Sequence, residues 1–454
     1  MPLGMAAELA GETAVDTVAA ETTKMLEAQP TPFFEMLGSR NQKNSQARTG
    51  RLLGVQTPTF TMLTSRGMPM ILRPRVLNSQ LEAKLLYELP ISDLLIREDL
   101  IKQQAVTETS TSCSSLWPHL KGHVTYCSFR NPLKSPSVYG ADAVCSVETY
   151  GGRKKVPPRT LLDLQQVMRA SIVAAPGEEV PLDGGSRKLQ RAVSRSGDWL
   201  KEILDAKANQ PELNFEWHVL ASIQGGADVK LRQKACSAAA SLPIAGVWIG
   251  GLGYTEALTR RAPLLAAVDE ALPEALPRFL PLNSGTPVEV LQAVLLGVDV
   301  LEINYPVEAA HSGLALVFES HMPSSDEGNP DDEALLGKLL ASSSAAAPTW
   351  RSHVRQMQLR SEACREDFGP ICEASPVQQY SRAYLYHLLE ACEMLGTMLL
   401  VQHNLHVYSN FFAAIREHIQ QGSLRQFASW FLRTQTAEPP EAPPQRPQKR
   451  SRKN

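Results

Sequence analysis

The sequence predicts an α/β fold built on parallel strands, and three observations lead to it. Short apolar runs recur between about residues 120 and 303 without the in–out alternation of a half-exposed strand. Nearly every run is followed by a stretch with helical spacing, and the connections are short. Strands covered on both faces become continuously apolar and parallel neighbours need a crossover, so the pattern reads as βαβ units in a barrel or a doubly wound sheet.

In chain order, residues 1–45 read as a flexible leader and 46–320 as the first part of the sheet domain. That part opens on Ala47-Arg-Thr-Gly-Arg-Leu-Leu-Gly-Val-Gln-Thr-Pro-Thr-Phe, β-favouring residues set between Gly and Pro punctuation. His123–Phe129 and Asp142–Thr149 read as strands, Thr160–Arg169 as a helix and Ser171–Ala175 as a short strand. Helix Arg187–Ala206 then leads to strand His218–Ile223. The scheme repeats as helix Val229–Ser241, strand Ile244–Ile249, helix Thr255–Ala271, strand Arg278–Leu282, helix Pro287–Leu296 and strand Val298–Ile303. Residues 321–360 are rich in polar and small residues and read as an insertion, a mobile loop. Residues 361–432 read as a helical region. A long helix from about Ser381 places Leu385, Leu388, Leu389, Cys392, Leu395, Leu399, His403 and His406 along one face. Residues 433–454, with Arg446, Lys449, Arg450, Arg452 and Lys453 among prolines, read as a disordered basic tail: an RNA contact, a nuclear address or a solubilising segment.

Composition narrows the function classes. The 454 residues carry 45 Lys plus Arg against 47 Asp plus Glu, a formal net charge of −2, which excludes coating nucleic acid by bulk charge. With 43% hydrophobic residues the chain can bury a large core. Seven scattered cysteines and no secretory signal point to reduced thiols or metal ligands in an intracellular protein. No apolar run is long enough to span a membrane.

Three sets of residues are candidates for chemistry. Ile223-Gln224-Gly225-Gly226 and Ile249-Gly250-Gly251-Leu252-Gly253 close two apolar strands. Glycines at carboxyl ends of strands let a flat ligand approach the backbone, and Gln224 offers a donor and an acceptor to a base edge; plain tight turns are the structural alternative. Neither turn fits a dinucleotide or Walker signature. Glu302 at a strand end and Glu256 at a helix start are candidate nucleophiles or bases, or, for Glu256, an anion on a helix dipole. Cys372 and His403 are candidate metal ligands, against a buried thiol and a core histidine.

Several segments, in order, resemble the tRNA-guanine transglycosylase family, and within it the accessory-subunit branch. They are Ala47-Arg-Thr-Gly-Arg with Gln56-Thr-Pro-Thr-Phe, Ser222-Ile-Gln-Gly-Gly, Gly246–Glu256, Gly285-Thr-Pro with Gly297-Val-Asp-Val-Leu-Glu, Asp367-Phe-Gly-Pro with Tyr380-Ser-Arg-Ala-Tyr-Leu-Tyr-His-Leu-Leu, His403-Asn-Leu-His-Val-Tyr and Ile415-Arg-Glu. The resemblance implies a TIM (β/α)8 barrel with an inserted C-terminal helical, zinc-type subdomain, so that 361–432 becomes a zinc-type dimerisation region. It implies exchange of guanine for queuine at the tRNA wobble position through an aspartyl–ribose intermediate, with a second aspartate as acid and base. It also implies a cytoplasmic protein, with a peripheral station on the mitochondrial outer membrane.

The departures from that pattern carry the functional expectation. Glu302 stands where the family's nucleophilic aspartate belongs, Glu308 stands where an arginine meets the tRNA, and no segment supplies the other aspartate. An added methylene displaces a carboxylate by about 1.5 Å, and misplacements of about 1 Å already cost on the order of 100-fold in rate. No residue is therefore expected to be catalytic. Gln224, Gly250 and Gly251 remain as vestiges of a base-binding site. The family's zinc ligands fall on Cys372, Ala374, Val377 and His403, so Zn2+ is expected on only Cys372 and His403. The expected role is a non-catalytic subunit paired with a catalytic sister in a heterodimer that acts on tRNA for queuosine synthesis, with Leu385, Leu389, Phe411 and Phe412 as apolar interface residues. The alternatives are a self-sufficient transglycosylase using Glu302 as nucleophile, and an unrelated barrel that shares only the scaffold.

Overall fold

The computed structural model describes residues 32–38 and 45–437, apart from 75, 78–83, 96–97, 100, 102, 104–112, 130, 134–143, 255, 327 and 341–352. Its centre is a parallel sheet whose strands we number β1 (Thr59–Phe60), β2 (Met62–Ser65), β3 (Leu86–Glu88), β4 (Val124–Cys127), β5 (Ile172–Ala174), β6 (His218–Ile223), β7 (Gly246–Ile249), β8 (Arg278–Pro281) and β9 (Val300–Glu302). The strands follow the order β1-β9-β8-β7-β6-β5-β4-β3-β2. Because β1 and β2 are halves of one segment, 59–65, the two edges of the sheet meet on a single piece of chain. Phe60 pairs with Leu301 and Met62 with Tyr87, both in parallel.

Alternation along these strands sorts the core into two layers, as a sheet curled on itself requires. Val124, Tyr126, Leu220, Trp248, Phe279 and Val300 pack together inside. Their neighbours Cys127, Val219, Val247, Leu280 and Leu301 join the larger cluster under the helices. The crossovers include α1 (Pro158–Met168), α2 (Ser186–Asn209), α3 (Val229–Ala240), α4 (Leu258–Ala271), α5 (Pro287–Leu295) and α6 (Tyr305–His311). The Gly285-Thr-Pro motif starts α5: Thr286 accepts from the Glu289 N–H, the Glu289 carboxylate accepts from the Thr286 N–H, and Pro287 holds the first helical position. Gly285 sits at φ +77°, where an added Cβ would meet the Ile303 side chain at 2.3 Å.

The Ala47-Arg-Thr-Gly motif places Arg48 at the start of the sheet. Its guanidinium donates to both Asp299 oxygens at 2.8 and 2.7 Å and to the carbonyls of Glu274 and Leu276. Burial opposes its charge, but the Asp299 partnership prevails and keeps the group firmly protonated.

Four expectations change. Phe34–Met36, inside the expected leader, is a strand paired with Gly50–Leu52; leader residues 1–31 and 39–44, and the basic tail beyond 437, lie outside the described residues. Cys145–Thr149 pairs antiparallel with Gly152–Val156 in a separate hairpin, because Gly151 and Gly152 let the chain turn straight back. Residues 321–360 contain a helix, α7 (Asp332–Leu340), whose Leu336 and Leu339 are buried. The long helix is two, α8 (Arg382–Glu390) and α9 (Met394–Gln420), separated where Cys392 takes φ +58°. After α9 comes α10 (Leu424–Thr434).

The helical region docks on the sheet through polar groups of α9. Asn404 accepts from the Leu316 N–H and donates to the Pro306 and Leu314 carbonyls. Tyr408 donates to the Gly285 carbonyl, and Arg416 donates to the Pro58 carbonyl at 3.0 Å. Among the described residues, no helix is long and apolar enough to cross a membrane.

Candidate functional site

Glu302 ends β9 inside the curled sheet and is 1% exposed. Its Oε1 accepts two hydrogen bonds, from the Tyr126 hydroxyl on β4 and the Trp248 indole N–H on β7, both at 2.7 Å. Tyr126 also packs against Phe279 on β8, ring centroids 5.3 Å apart. Burial, then the Glu302 charge, pushes the Tyr126 phenol well above its ordinary pKa, so it remains a donor. Two short bonds hold this carboxyl group among aromatic rings in the sheet interior. The arrangement is that of a buried acceptor shared by two aromatic donors.

The glycine turns after β6 and β7 are occupied by the protein's own groups. The Gly251 N–H, the type of donor a base carbonyl would seek, donates to the Glu179 carboxylate at 3.0 Å. Gln224 is 2% exposed and its amide donates to Ser222 Oγ at 3.0 Å. The two glycine turns are tied to each other by Arg232 of α3, fully buried, which donates to the carbonyls of Gly226 at 2.8 Å and Gly250 at 3.2 Å. Burial lowers that guanidinium to about 10. Gly250 leaves no room: a Cβ there would lie 2.1 Å from Gln224 Nε2. Near the end of β9 there remains a cavity of about 30 Å³, lined by residues that include Thr61, Ile303 and Asn304. Ligand pockets run to roughly 300–1,000 Å³, so this space is of water size. The wider hollows, about 480 and 490 Å³, are open clefts lined by α7 and α10 residues and by α8 residues with Glu362 and Arg365.

The other acids have structural partners. Glu256 accepts from the Gly253 and Tyr254 N–H groups and from Arg261 at 2.6 Å. Burial pushes its carboxyl up, and Arg261 with the backbone donors pulls it below the ordinary value. It ties the glycine turn to α4. Glu308 accepts from Ser284 at 2.8 Å, and burial raises its pKa.

The structure therefore brings Gln224, Gly250 and Gly251 together at the ends of the adjacent strands β6 and β7, with Glu302 on β9, beyond β8. Sequence reasoning missed Glu179, Arg232, Tyr126 and Trp248. Tyr126 and Trp248 had a legible signal: both sit mid-strand among apolar residues, and an aromatic polar atom buried there must find a partner. Glu179 and Arg232 had none, since their partners are backbone groups of distant turns. A further carboxylate, Glu88 on β3, also lies in the interior and accepts from the Thr61 hydroxyl at 2.7 Å.

The expected metal ligands do not form a site. Among the described residues no group of three or more His, Cys, Asp or Glu is placed to hold an ion. His403 is fully buried, with Nδ1 2.9 Å from Ser375 Oγ and Nε2 2.9 Å from the Leu316 carbonyl, so both ring nitrogens are engaged. Cys372 is half-buried and, like the other six cysteines, a free thiol. Cys364 directs its thiol to the Gln358 carbonyl at 3.7 Å. Zinc does not fit this donor set, because a structural site needs four donors and neither nitrogen of His403 is spare.

The expected interface residues are also reassigned. Leu385, Leu389, Phe411 and Phe412 are at most 1% exposed and pack within the chain's own core. The apolar residues that α8, α9 and the loop before them expose are Phe368 (82%), Met394 (72%), Tyr384 and Leu395.

A family model described as queuine tRNA-ribosyltransferase matches residues 42–437. A Xenopus laevis protein named queuine tRNA-ribosyltransferase accessory subunit 2 is 28% identical over 349 residues, 72% of this chain and 82% of its own length. A protein of the same name from Ixodes scapularis is 30% identical over 318 residues, 68% of this chain and 76% of its own. A Zymomonas mobilis protein named queuine tRNA-ribosyltransferase is 26% identical over 284 residues, 62% and 64%. Matched over most of its length, the chain belongs to the queuine tRNA-ribosyltransferase family.

Proposed function

We propose that this chain is a non-catalytic subunit of queuine tRNA-ribosyltransferase. It pairs with a catalytic subunit in a heterodimer and supports that partner's exchange of guanine for queuine at the wobble position of tRNAs with GUN anticodons (Asp, Asn, His, Tyr). One observation carries the reading: the carboxylate at the nucleophile position is one methylene too long and is held by Tyr126 and Trp248 at 2.7 Å inside the sheet. The closed ring of parallel strands supports the TIM-barrel scaffold expected of the family. Phe368, Tyr384, Met394 and Leu395 are the surface on which a partner would bury apolar area. The reading puts the complex in the cytoplasm with its tRNA, including the cytoplasmic face of the mitochondrial outer membrane.

The test incubates the purified chain with tRNA and labelled guanine, alone and with a catalytic subunit. No incorporation alone and incorporation with the partner is expected. Incorporation by the chain alone, abolished by Glu302→Gln, overturns the reading in favour of a self-sufficient transglycosylase.

A further inference from the structure

We infer that the helical region of this chain is held together without a metal ion, by a Ser375–His403–Leu316 hydrogen-bond bridge. The Leu316 carbonyl can only accept, so Nε2 of His403 carries the proton and donates to it at 2.9 Å. Nδ1 then holds the ring's one free lone pair, and the Ser375 hydroxyl donates to it at 2.9 Å. A neutral imidazole binds a metal through that same lone pair, so hydroxyl and ion compete for one position.

Too few donors stand around it for an ion: among the described residues no group of three or more His, Cys, Asp or Glu is placed to hold one. Of the three expected cysteine positions, Ala374 and Val377 bring no side-chain donor, and Cys372 alone brings a thiol. Cys364 holds a protonated thiol on the Gln358 carbonyl, its pKa raised by burial.

The bridge does the mechanical work of a cross-link. Ser375, 2% exposed, belongs to the loop before α8 and also receives the Val377 N–H at 3.3 Å. His403 belongs to α9, and Leu316 to the strand Leu314–Leu316 that leaves the sheet domain. The next residue on α9, Asn404, takes the Leu316 N–H at 2.8 Å, so both backbone groups of Leu316 end on adjacent helix side chains. Three segments distant in sequence are joined at one buried point.

The inference is independent of the subunit assignment, because it concerns the chain alone. Its test uses the full chain, produced in zinc-supplemented medium and purified without a metal-affinity tag. Metal content is measured by mass spectrometry, and melting is followed with and without a zinc chelator. Less than about 0.1 zinc per chain and no chelator effect are expected, since a structural metal would contribute to folding outright. Ser375→Ala is expected to lower Tm by roughly 1–4 °C at unchanged metal content, the size of effect that leaving one buried acceptor unmet has in a chain this long. About one zinc per chain with a chelator-sensitive Tm overturns the inference, and so does a Ser375→Ala variant that melts like the wild type.

Discussion

Replacing Glu302 by alanine removes the acceptor shared by Tyr126 and Trp248, each bonded to it at 2.7 Å in the sheet interior. Stranding a buried donor costs roughly 1–3 kcal/mol, and the lost side chain leaves a cavity between Tyr126 and Trp248, so the sum is about 3–5 kcal/mol. Glu302→Gln keeps an acceptor oxygen and loses only the charge assistance, a cost of about 1–2 kcal/mol. Glu302→Asp withdraws the carboxyl group by about 1.5 Å and breaks both bonds while leaving buried polar atoms unmet, so it ranks with alanine rather than with glutamine. Urea denaturation followed by tryptophan fluorescence measures the order Gln, then Ala and Asp. A catalytic Glu302 makes the opposite prediction: Glu302→Gln would abolish exchange in a complex that remains folded. An alanine variant within about 0.5 kcal/mol of wild type, or loss of exchange with intact stability in the glutamine variant, refutes the structural role.

Other predictions concern the surrounding scaffold. Arg48→Ala leaves the buried Asp299 without its bidentate partner and is expected to cost about 3–5 kcal/mol in denaturant titrations. Gly250→Ala drives a methyl to 2.1 Å from Gln224 Nε2, expelling that side chain from Ser222; about 1–3 kcal/mol is lost, read as a fall in Tm. His403 has a folded pKa of about 4 against 6.5 for the free group, so the unfolded chain takes up the proton first as pH falls. Its contribution is complete above about pH 6.5 and is lost toward pH 4, on the order of 3 kcal/mol, and the pH dependence of unfolding should flatten in His403→Gln. Tyr384→Asp with Leu395→Asp alters only exposed residues, so Tm should hold while capture of a catalytic subunit falls at least about tenfold in pull-down titrations.

The order of strands and helices was legible because two-sided burial leaves a local mark, a run of apolar residues that does not alternate. His218–Ile223 was read to the residue, and the strands after it to within two residues. The signal failed where burial was partial or the turn was local. Cys145–Thr149 reads like a barrel strand, yet it folds back on Gly152–Val156. The face drawn from Leu385 to His406 ignored the break at Cys392, whose left-handed φ no periodicity announces. The helical spacing of Leu385 and Leu389 marks a buried face equally well whether the cover is a partner or the chain itself; here the cover is the chain itself.

By itself the sequence determined the class of fold, the turns Gln224-Gly225-Gly226 and Gly250-Gly251, and the place of Glu302 at the end of its strand, because chain spacing and residue type are local properties. Only the tertiary structure decided what each of those groups touches. Glu179 reaches Gly251, Arg232 joins the two turns, and Ser375 meets His403 across 28 positions of sequence. Buried polar groups must be paired, and the identity of the partner is set by which distant segments the closed sheet and α9 bring within about 3 Å.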